Sequence, residues 1–198
     1  MQYYSHRWSD EKKLIHYQRI KDAVKRMTNL LDEVLMIGKA ESGKLPFNPQ
    51  PLNLVIFCQN LAEEQELGNR ANHRIRVTLR GYFPEGWRFD ENLLRHILTN
   101  LLSNAIKYSP NGEDVDFIIT GKDNQVIFEI QDRGIGIPTQ ELNKLFESFE
   151  RATNVGNIPG TGLGLAIVKK CVDAHRGSIS VESIQDVGTT FTVTLPCK

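Results

Sequence analysis

The sequence lacks the features that would place a chain in a membrane, in the secretory route or on a nucleic acid. No apolar run approaches the ~18–20 residues of a membrane-spanning helix, and the N-terminus has no apolar signal-peptide core. The formal net charge is zero, because 24 acidic residues balance 24 basic ones. Bulk electrostatics therefore do not favour nucleic acid. We expect a cytoplasmic chain with no nucleic-acid or membrane contact of its own, whether its parent protein is soluble or membrane-anchored.

Cysteine is scarce, and the commonest nucleotide-binding patterns are missing. The 3 cysteines are not in CxxC spacing, which argues against a zinc site or a disulfide framework and suits a reducing compartment. The Walker pattern GxxxxGK[ST] is absent, and no GxGxxG follows a predicted strand, so P-loop and Rossmann sites are disfavoured. With 198 residues and no repeats, the chain is long enough for one well-packed domain and a helical extension.

A narrow apolar seam predicts one long helix from about Ser9 to Ala40. Its apolar residues step by three and four positions: Tyr17, Ile20, Val24, Met27, Leu31 and Val34. Gly43 and Pro46 end the pattern. Such a helix is roughly 45 Å long at ~1.5 Å per residue, which is too long to pack against a compact domain alone. We expect a partner helix; a solitary amphipathic linker is the alternative.

Beyond Pro46, helices and strands follow one another without regular alternation. Helices are predicted after Asn53 and Asp90 and near 139–146 and 164–175, and strands at 74–80, 83–89, 115–120, 126–131, 178–183 and 189–195. This order favours an α+β fold over a doubly wound parallel sheet. The change of pattern predicts a helical region, 1–45, followed by a mixed domain, 46–198.

Four polar residues share one face of the helix that begins after Asp90. Asn100, Asn104, Lys107 and Tyr108 stand at i, i+4, i+7 and i+8. Amide oxygens are hard ligands suited to Mg²⁺, and a lysine offsets phosphate charge, so this face suits a metal-bound polyphosphate. A solvated helix face carries the same residue types, and that alternative stays open.

The segment 132–138 places a carboxylate ahead of two glycines. Asp132 continues the alternation of Val126, Phe128 and Ile130, so it is expected to point inward. An inward carboxylate needs a donor, and the exocyclic amine of adenine is one. Gly134 and Gly136 would let the backbone approach a ligand closely. A tight turn in which Asp bonds its own backbone is the alternative.

A glycine-rich run, Gly160-Thr161-Gly162-Leu163-Gly164-Leu165, opens the last predicted helix. Free N–H groups at a helix start form a ready phosphate site, although a ligand-free helix entry is the alternative.

Two aromatics, Phe146 and Phe149, precede Arg151 and a polar stretch. They could anchor a mobile flap that carries Arg151 onto a terminal phosphate. A surface helix with core phenylalanines explains the same residues.

Taken in order, these clusters resemble the motif series of sensor histidine kinases, within the GHKL ATPase superfamily. The matching segments are Asn100 to Tyr108, Asp132 to Pro138, Phe146 to Phe149, Gly160 to Leu165, and Gly188-Thr189-Thr190-Phe191. The family calls them the N, G1, F, G2 and G3 boxes. The resemblance implies an α+β fold, a two-layer sandwich of a mixed sheet backed by helices, with ATP held between helices and a flexible lid.

The resemblance also implies roles for the phosphate and metal end of the site. Asn104 should hold Mg²⁺, with Asn100 supporting it as a metal ligand and catalytic residue. Lys107 and Tyr108 should touch phosphates, and Arg151 matches a lid arginine that reaches the γ-phosphate.

At the base end, the resemblance implies that Asp132 binds the adenine amine, helped by Thr190 through water. Gly134 and Gly136 should pass under the base. The remaining nucleotide-binding residues that it implies are Ile137, Phe149, Gly160, Thr161, Gly162, Leu163 and Gly164.

The N-terminal helix resembles the second helix of the family's dimerisation and phosphoacceptor hairpin. Segments Met27–Asp32 and Ala40–Leu45 carry this likeness. The first hairpin helix normally bears His-Glu/Asp-x-Arg-x-Pro, and none of the histidines here is followed by that pattern: His6, His16, His73, His96 and His175. The resemblance thus implies a partial hairpin, 1–45, an ATP-binding catalytic domain, 46–198, and an acceptor histidine outside a truncated chain.

The function that this resemblance implies is transfer of the γ-phosphoryl group of Mg·ATP to a histidine. The implied partners are the phosphoacceptor hairpin, a response-regulator receiver domain and a second copy of the chain through the N-terminal helix. Two alternatives remain: a GHKL-type protein-serine kinase or ATPase, and an ATP-binding interaction module without kinase activity.

Overall fold

The computed structural model describes residues 9–67, 73–109, 112–156 and 158–197. Its helices are α1 (Asp10–Glu41), α2 (Leu54–Leu67), α3 (Glu91–Lys107) and α4 (Gly164–Ala174). Its strands are β1 (Gln50–Pro51), β2 (Ile75–Gly81), β3 (Arg88–Phe89), β4 (Val115–Lys122), β5 (Gln125–Asp132), β6 (Ser178–Ile184) and β7 (Gly188–Pro196). Two short 3₁₀ turns cover Thr139–Lys144 and Thr153–Val155.

Helix α1 confirms the predicted long helix. Ser9 caps its start, because the N–H of Lys12 donates to Ser9 Oγ at 3.4 Å. Its 32 residues extend about 48 Å at ~1.5 Å per residue. Near its C-terminal end Ile37 joins the hydrophobic core, and α1 contacts α4. Most of the apolar seam is exposed, as at Tyr17 and Leu31. The partner helix and the boundary at residue 45 stay predictions.

The main sheet has five strands in the order β2-β4-β5-β7-β6. Strands β2 and β4 are parallel, and the other neighbours are antiparallel. Helices α2, α3 and α4 pack on one face, where alternate residues of the central strands are buried, including Phe117, Phe128 and Val193. The predicted α+β sandwich with a mixed sheet is confirmed.

Side-chain caps explain where the helices that carry the site begin. Asp90 Oδ1 accepts from the N–H of Leu93 at 3.1 Å, and its Oδ2 accepts from the N–H of Asn48 at 2.8 Å. Asn53 Oδ1 accepts from the N–H of Ile56 at 3.1 Å. The Asp90 cap therefore fixes α3 both to its own first turn and to the segment before β1.

Two local predictions need correction. The expected strand 83–89 is reduced to Arg88–Phe89, which pairs with Gln50–Pro51 in a ribbon that local patterns did not predict. The expected helix 139–146 is a 3₁₀ turn, Thr139–Lys144, without buried residues. It therefore lacks the buried face that stabilises an α-helix in a globular protein.

The cysteines Cys58, Cys171 and Cys197 are all free and buried. Burial raises the pKa of the Cys171 thiol to about 12, and it raises the pKa of the Cys197 thiol likewise to about 12. Among the described residues, no helix is both long and apolar enough to cross a bilayer.

Candidate nucleotide-binding site

A cavity of about 300 Å³ lies between α3, the loop that precedes α4 and the adjoining ends of β5 and β7. Most of the predicted site residues line it: Asn100, Asn104, Lys107, Tyr108, Asp132, Gly136, Ile137, Arg151, Gly160, Thr161, Gly162 and Gly164. The segments that the sequence separates by up to 64 positions thus meet around one space. Its lining combines polar groups with the apolar side chains of Ile135, Leu145, Val155, Leu165 and Phe191.

One end of the cavity carries a buried carboxyl group. Asp132, the last residue of β5, is only 6% exposed and points inward, as the strand alternation predicts. Its Oδ1 accepts from the N–H of Gly134 at 2.9 Å and from the N–H of Thr189 at 3.3 Å. Burial nevertheless raises the pKa of Asp132 to about 6, although these two donors act to lower it. A further donor from a ligand would stabilise the carboxylate.

The other end gathers positive charge around a glycine. Lys107 Nζ donates to the hydroxyl of Tyr108 at 3.0 Å. A Cβ placed on Gly160 would lie 2.8 Å from Lys107 Nζ and 3.8 Å from Arg151 Nε. The absence of a side chain at residue 160 therefore leaves room for the Lys107 ammonium beside the loop, with Arg151 at ordinary contact distance. Two cations beside exposed backbone suit an anion with several charges.

Two asparagines of α3 lie beside the start of α4. Asn100 Nδ2 donates to the carbonyl of His96 at 2.9 Å, which turns its Oδ1 away from the α3 backbone. That oxygen would lie 2.6 Å from a Cβ on Gly164, so glycine is required for this close contact. Asn104 lies one turn further along α3 and also lines the cavity. Amide oxygens are among the hard ligands that Mg²⁺ prefers, so this pair could hold such an ion.

The glycine loop is shaped by a left-handed turn. Gly162 has φ +74°, and a Cβ there would lie 2.7 Å from the carbonyl carbon of Phe149. Phe149 itself has φ +69°, and its N–H donates to the carbonyl of Gly162 at 2.9 Å. These two residues therefore tie the glycine loop to the segment that carries Arg151.

Residues 150–156, which include the second 3₁₀ turn, line one side of the cavity beside the loop that follows Asp132. Asn154 Nδ2 donates to the carbonyls of Ile135 and Gly136 at 3.3 and 2.9 Å. Thr153 contributes two further bonds, from its N–H and its hydroxyl, to the carboxylate of Glu141. Arg151 donates to the carbonyl of Ile158 and so lies folded over its own segment. We call residues 150–156 the lid.

A protein-family model described as histidine kinase-, DNA gyrase B- and HSP90-like ATPase matches residues 89–198. The chain belongs to this ATPase family. Sensor histidine kinase WalK of Bacillus subtilis (strain 168) is 35% identical over 179 residues, which are 87% of this chain and 29% of the relative. Sensor protein kinase WalK of Staphylococcus aureus (strain MRSA252) is 29% identical over 197 residues, 96% of this chain and 32% of the relative. The chain thus spans about a third of the length of these curated relatives.

Solved histidine kinases share the fold of this ATPase domain. The mycobacterial sensor histidine kinase MprB is 32% identical with a TM-score of 0.65, over 75% of this chain and 98% of that one. Full-length ShkA in complex with AMPPNP is 22% identical with a TM-score of 0.81, over 96% of this chain and 40% of that one. Acinetobacter baumannii histidine kinase AdeS has a TM-score of 0.74 at 21% identity and shows the fold alone, over 92% of this chain and 84% of that one.

Three side chains expected at the nucleotide lie outside the cavity lining. Thr190 lies on the other face of the sheet, and Thr189 faces the cavity beside Asp132. Phe149 is 69% exposed and points away from the cavity lining. Leu163 is fully buried in the core, where it anchors the glycine loop instead of facing a ligand.

Gly134 also lies outside the cavity lining, but its N–H donates to Asp132 and its backbone lies close to Tyr108. A Cβ there would collide with the carbonyl oxygen of Tyr108. The N–H of Ile135 donates to that same carbonyl at 3.0 Å, which fixes the loop after β5 against the end of α3.

Sequence reasoning missed three polar residues of the site. Thr189 shares the parity of the buried residues of β7, so strand alternation could have found it. Asn154 carried no signal beyond its place in a polar stretch. Glu33 of α1 lines the cavity, and its Oε2 accepts from the hydroxyl of Thr161 at 3.1 Å. That contact depends on how α1 packs, which no local pattern specifies.

Proposed function

We propose that this chain binds Mg·ATP and transfers the γ-phosphoryl group to a histidine on a dimerisation hairpin in two-component signalling. The observation that carries this proposal is the arrangement of one cavity, with a buried carboxylate at one end and a cation-lined glycine loop at the other. A purine with an amine donor and a polyphosphate tail is the ligand class that satisfies both ends at once.

The base end fits adenine. Asp132 is buried and already accepts two backbone N–H bonds on Oδ1, so within the described residues Oδ2 is the oxygen available to a ligand donor. Ile137 and Val155 supply apolar surface for an aromatic ring. Thr189, instead of Thr190, is the threonine placed to help Asp132 through water.

The other end fits a triphosphate with its metal. Lys107 and Arg151 approach the side of Gly160 where a Cβ would otherwise stand. Asn100 and Asn104 would hold Mg²⁺ through their amide oxygens, a donor set of hard ligands that this ion prefers. The solved structure of full-length ShkA is a complex with AMPPNP, and this supports a nucleotide as the ligand of the present cavity.

Catalysis in such a site rests on positioning and on charge neutralisation. The bound metal would supply charge neutralisation. Lys107 would hold its ammonium against the phosphates, with the Tyr108 hydroxyl fixing its direction. Arg151 would leave the carbonyl of Ile158 and place its guanidinium on the transferring group when the lid moves.

The nucleophile is proposed to come from another polypeptide segment. None of the histidines in the sequence precedes the acceptor pattern, so the chain alone should bind ATP without stable self-labelling. A phosphoacceptor hairpin would supply both the histidine and its neighbouring acid, and a receiver domain would then accept the phosphoryl group. Helix α1, with its exposed apolar seam, would bring two copies or a hairpin together.

The test combines binding with transfer. Calorimetry should show Mg·ATP binding that Asp132→Asn weakens, whereas Asp123→Asn, in the exposed turn between β4 and β5, leaves it unchanged. Incubation with γ-labelled ATP and the separate hairpin of the B. subtilis relative should then label the hairpin with acid-sensitive phosphate.

Two results would count against the proposal. Equal ATP binding by Asp132→Asn would overturn the pocket assignment. Acid-stable, alkali-labile label on a partner would favour a protein-serine kinase instead.

A further inference from the structure

We propose that Arg133 is a positioning residue for the base end of the site, acting from the opposite face of the sheet. It would fix the loop that follows β5 and so set both the affinity for ATP and the preference for adenine over guanine. This inference rests on the proposed function, because it assigns a role within that same nucleotide site.

Arg133 belongs to a closed ring of charged groups. Its Nη2 bonds Asp116 Oδ2 at 2.7 Å, and its Nη1 donates to the backbone carbonyl of Asp114 at 3.1 Å. Arg76 completes the ring, with Nη1 on Asp116 Oδ1 at 2.9 Å and Nη2 on Asp114 Oδ2 at 2.6 Å. Each oxygen of the Asp116 carboxylate therefore serves one arginine.

The ring is better placed to hold a loop than an isolated surface ion pair. Isolated exposed pairs contribute little, but networks with good geometry contribute more. Asp116 is 15% exposed at its side chain, against 47% for Arg133, so the acceptor at the centre of the ring is largely shielded from solvent. Arg76 and Asp116 are also direct partners in the β2–β4 register. The ring is thus anchored on two paired strands.

The alternation of β5 sends Arg133 away from the nucleotide. Asp132 lines the cavity, whereas Arg133 lines only a second depression, which it shares with Thr190, Glu182 and Asp132 itself. Arg133 is not among the residues that line the nucleotide cavity. Because Arg133 has no place in the cavity lining, we expect it to act on ATP chiefly through the backbone that joins Asp132 to Gly134.

That backbone is held from two sides. On the cavity side, Gly134 packs against the carbonyl of Tyr108, to which the N–H of Ile135 donates at 3.0 Å. On the opposite face of the sheet, the Arg133 guanidinium is fixed by Asp116 and Asp114. A loop held in its binding conformation loses less freedom when a ligand binds, so the carboxylate of Asp132 meets the adenine amine at a lower entropic cost. Guanine has an acceptor oxygen at that position, so fixing the loop would not strengthen its binding.

The test measures the dissociation constants of Mg·ATP and Mg·GTP on the full chain by calorimetry, with GTP measured by competition. Arg133→Gln should raise the constant for ATP about five- to tenfold and change that for GTP less than about twofold, so that adenine preference shrinks. Asp116→Asn, which removes the negative charge and one of the two acceptor oxygens, should act in the same direction. Arg133→Lys keeps the positive charge but can form only one of the two hydrogen bonds. Its dissociation constant for ATP should lie between those of the unchanged chain and Arg133→Gln.

Arg80→Gln is the matched control, because Arg80 is an exposed arginine of β2 outside the ring. It should leave both constants unchanged, and melting without nucleotide checks that each variant folds. An unchanged ATP constant in folded Arg133→Gln and Asp116→Asn would overturn the proposal, as would equal weakening of ATP and GTP. Lack of ATP binding by the unchanged chain would instead refute the proposed function itself.

Discussion

Acidification should weaken ATP binding through Asp132. Burial raises the pKa of this carboxyl to about 6, and in the proposed site the ionised form would accept a bond from the adenine amine. The ionised fraction falls from nearly all at about pH 8 to about one tenth at about pH 5, so the apparent dissociation constant should rise about tenfold over that interval. Affinity is therefore kept above the folded-state pKa and lost as the pH falls through it.

Calorimetric titrations of Mg·ATP across this interval would measure the effect. The phosphate groups of the ligand also titrate near pH 6, so the chain with Asp132→Asn is the control that shares this contribution. The variant should bind Mg·ATP weakly at about pH 8, and its affinity should fall only slightly further on acidification. If the variant and the unchanged chain show equally steep curves, the carboxyl group of Asp132 is not the acceptor and the reasoning fails.

Three further predictions concern the glycine loop, a helix cap and a buried imidazole. Gly160→Ala should weaken Mg·ATP binding about tenfold in calorimetry with little change in melting temperature, because the new Cβ would lie 2.8 Å from Lys107 Nζ and displace that flexible side chain; unchanged affinity would contradict it. Asp90→Ala removes two N–H bonds and should lower the free energy of unfolding in urea by about 2–3 kcal/mol, and a loss below about 0.5 kcal/mol would count against the cap. Burial lowers the pKa of His175 below its ordinary 6.5, so the unfolded chain binds the proton first and stability should fall as the pH drops below about 6.5. Comparison with His175→Gln isolates this loss from Asp132, whose raised pKa acts in the opposite direction, and equal slopes in the two chains would exclude His175 as its source.

Local sequence patterns were sufficient for most of the fold. The apolar seam of α1, the caps at Asn53 and Asp90 and the alternation of the sheet strands placed the helices and long strands within a few residues. The exception is the segment before Asp90. Its alternating residues predict a strand of normal length, but only Arg88 and Phe89 find a partner, and that partner lies near residue 50. Strand length there is set by a distant segment, which a local pattern does not reveal.

The site was predictable to the extent that strand parity and helix spacing determine direction. Parity placed Asp132 in the cavity, and the same parity, applied from Phe191 backwards, selects Thr189 over Thr190. Phe149 could not be placed this way, because its left-handed backbone turns the side chain outward. Glu33 needed the tertiary packing of α1. The sequence therefore predicts the direction of side chains within a single helix or strand. It does not predict which side chains reach the site through packing between elements.

The burial of all three thiols has a practical consequence for measuring movement of the lid by fluorescent labelling. The thiolate is the form that reacts with alkylating reagents, and burial raises the pKa of each cysteine well above neutral pH. The native cysteines should therefore stay unlabelled under mild conditions. A cysteine introduced at an exposed lid position such as Glu150 would be the reactive one, so a single fluorophore could report lid movement without first replacing the native cysteines.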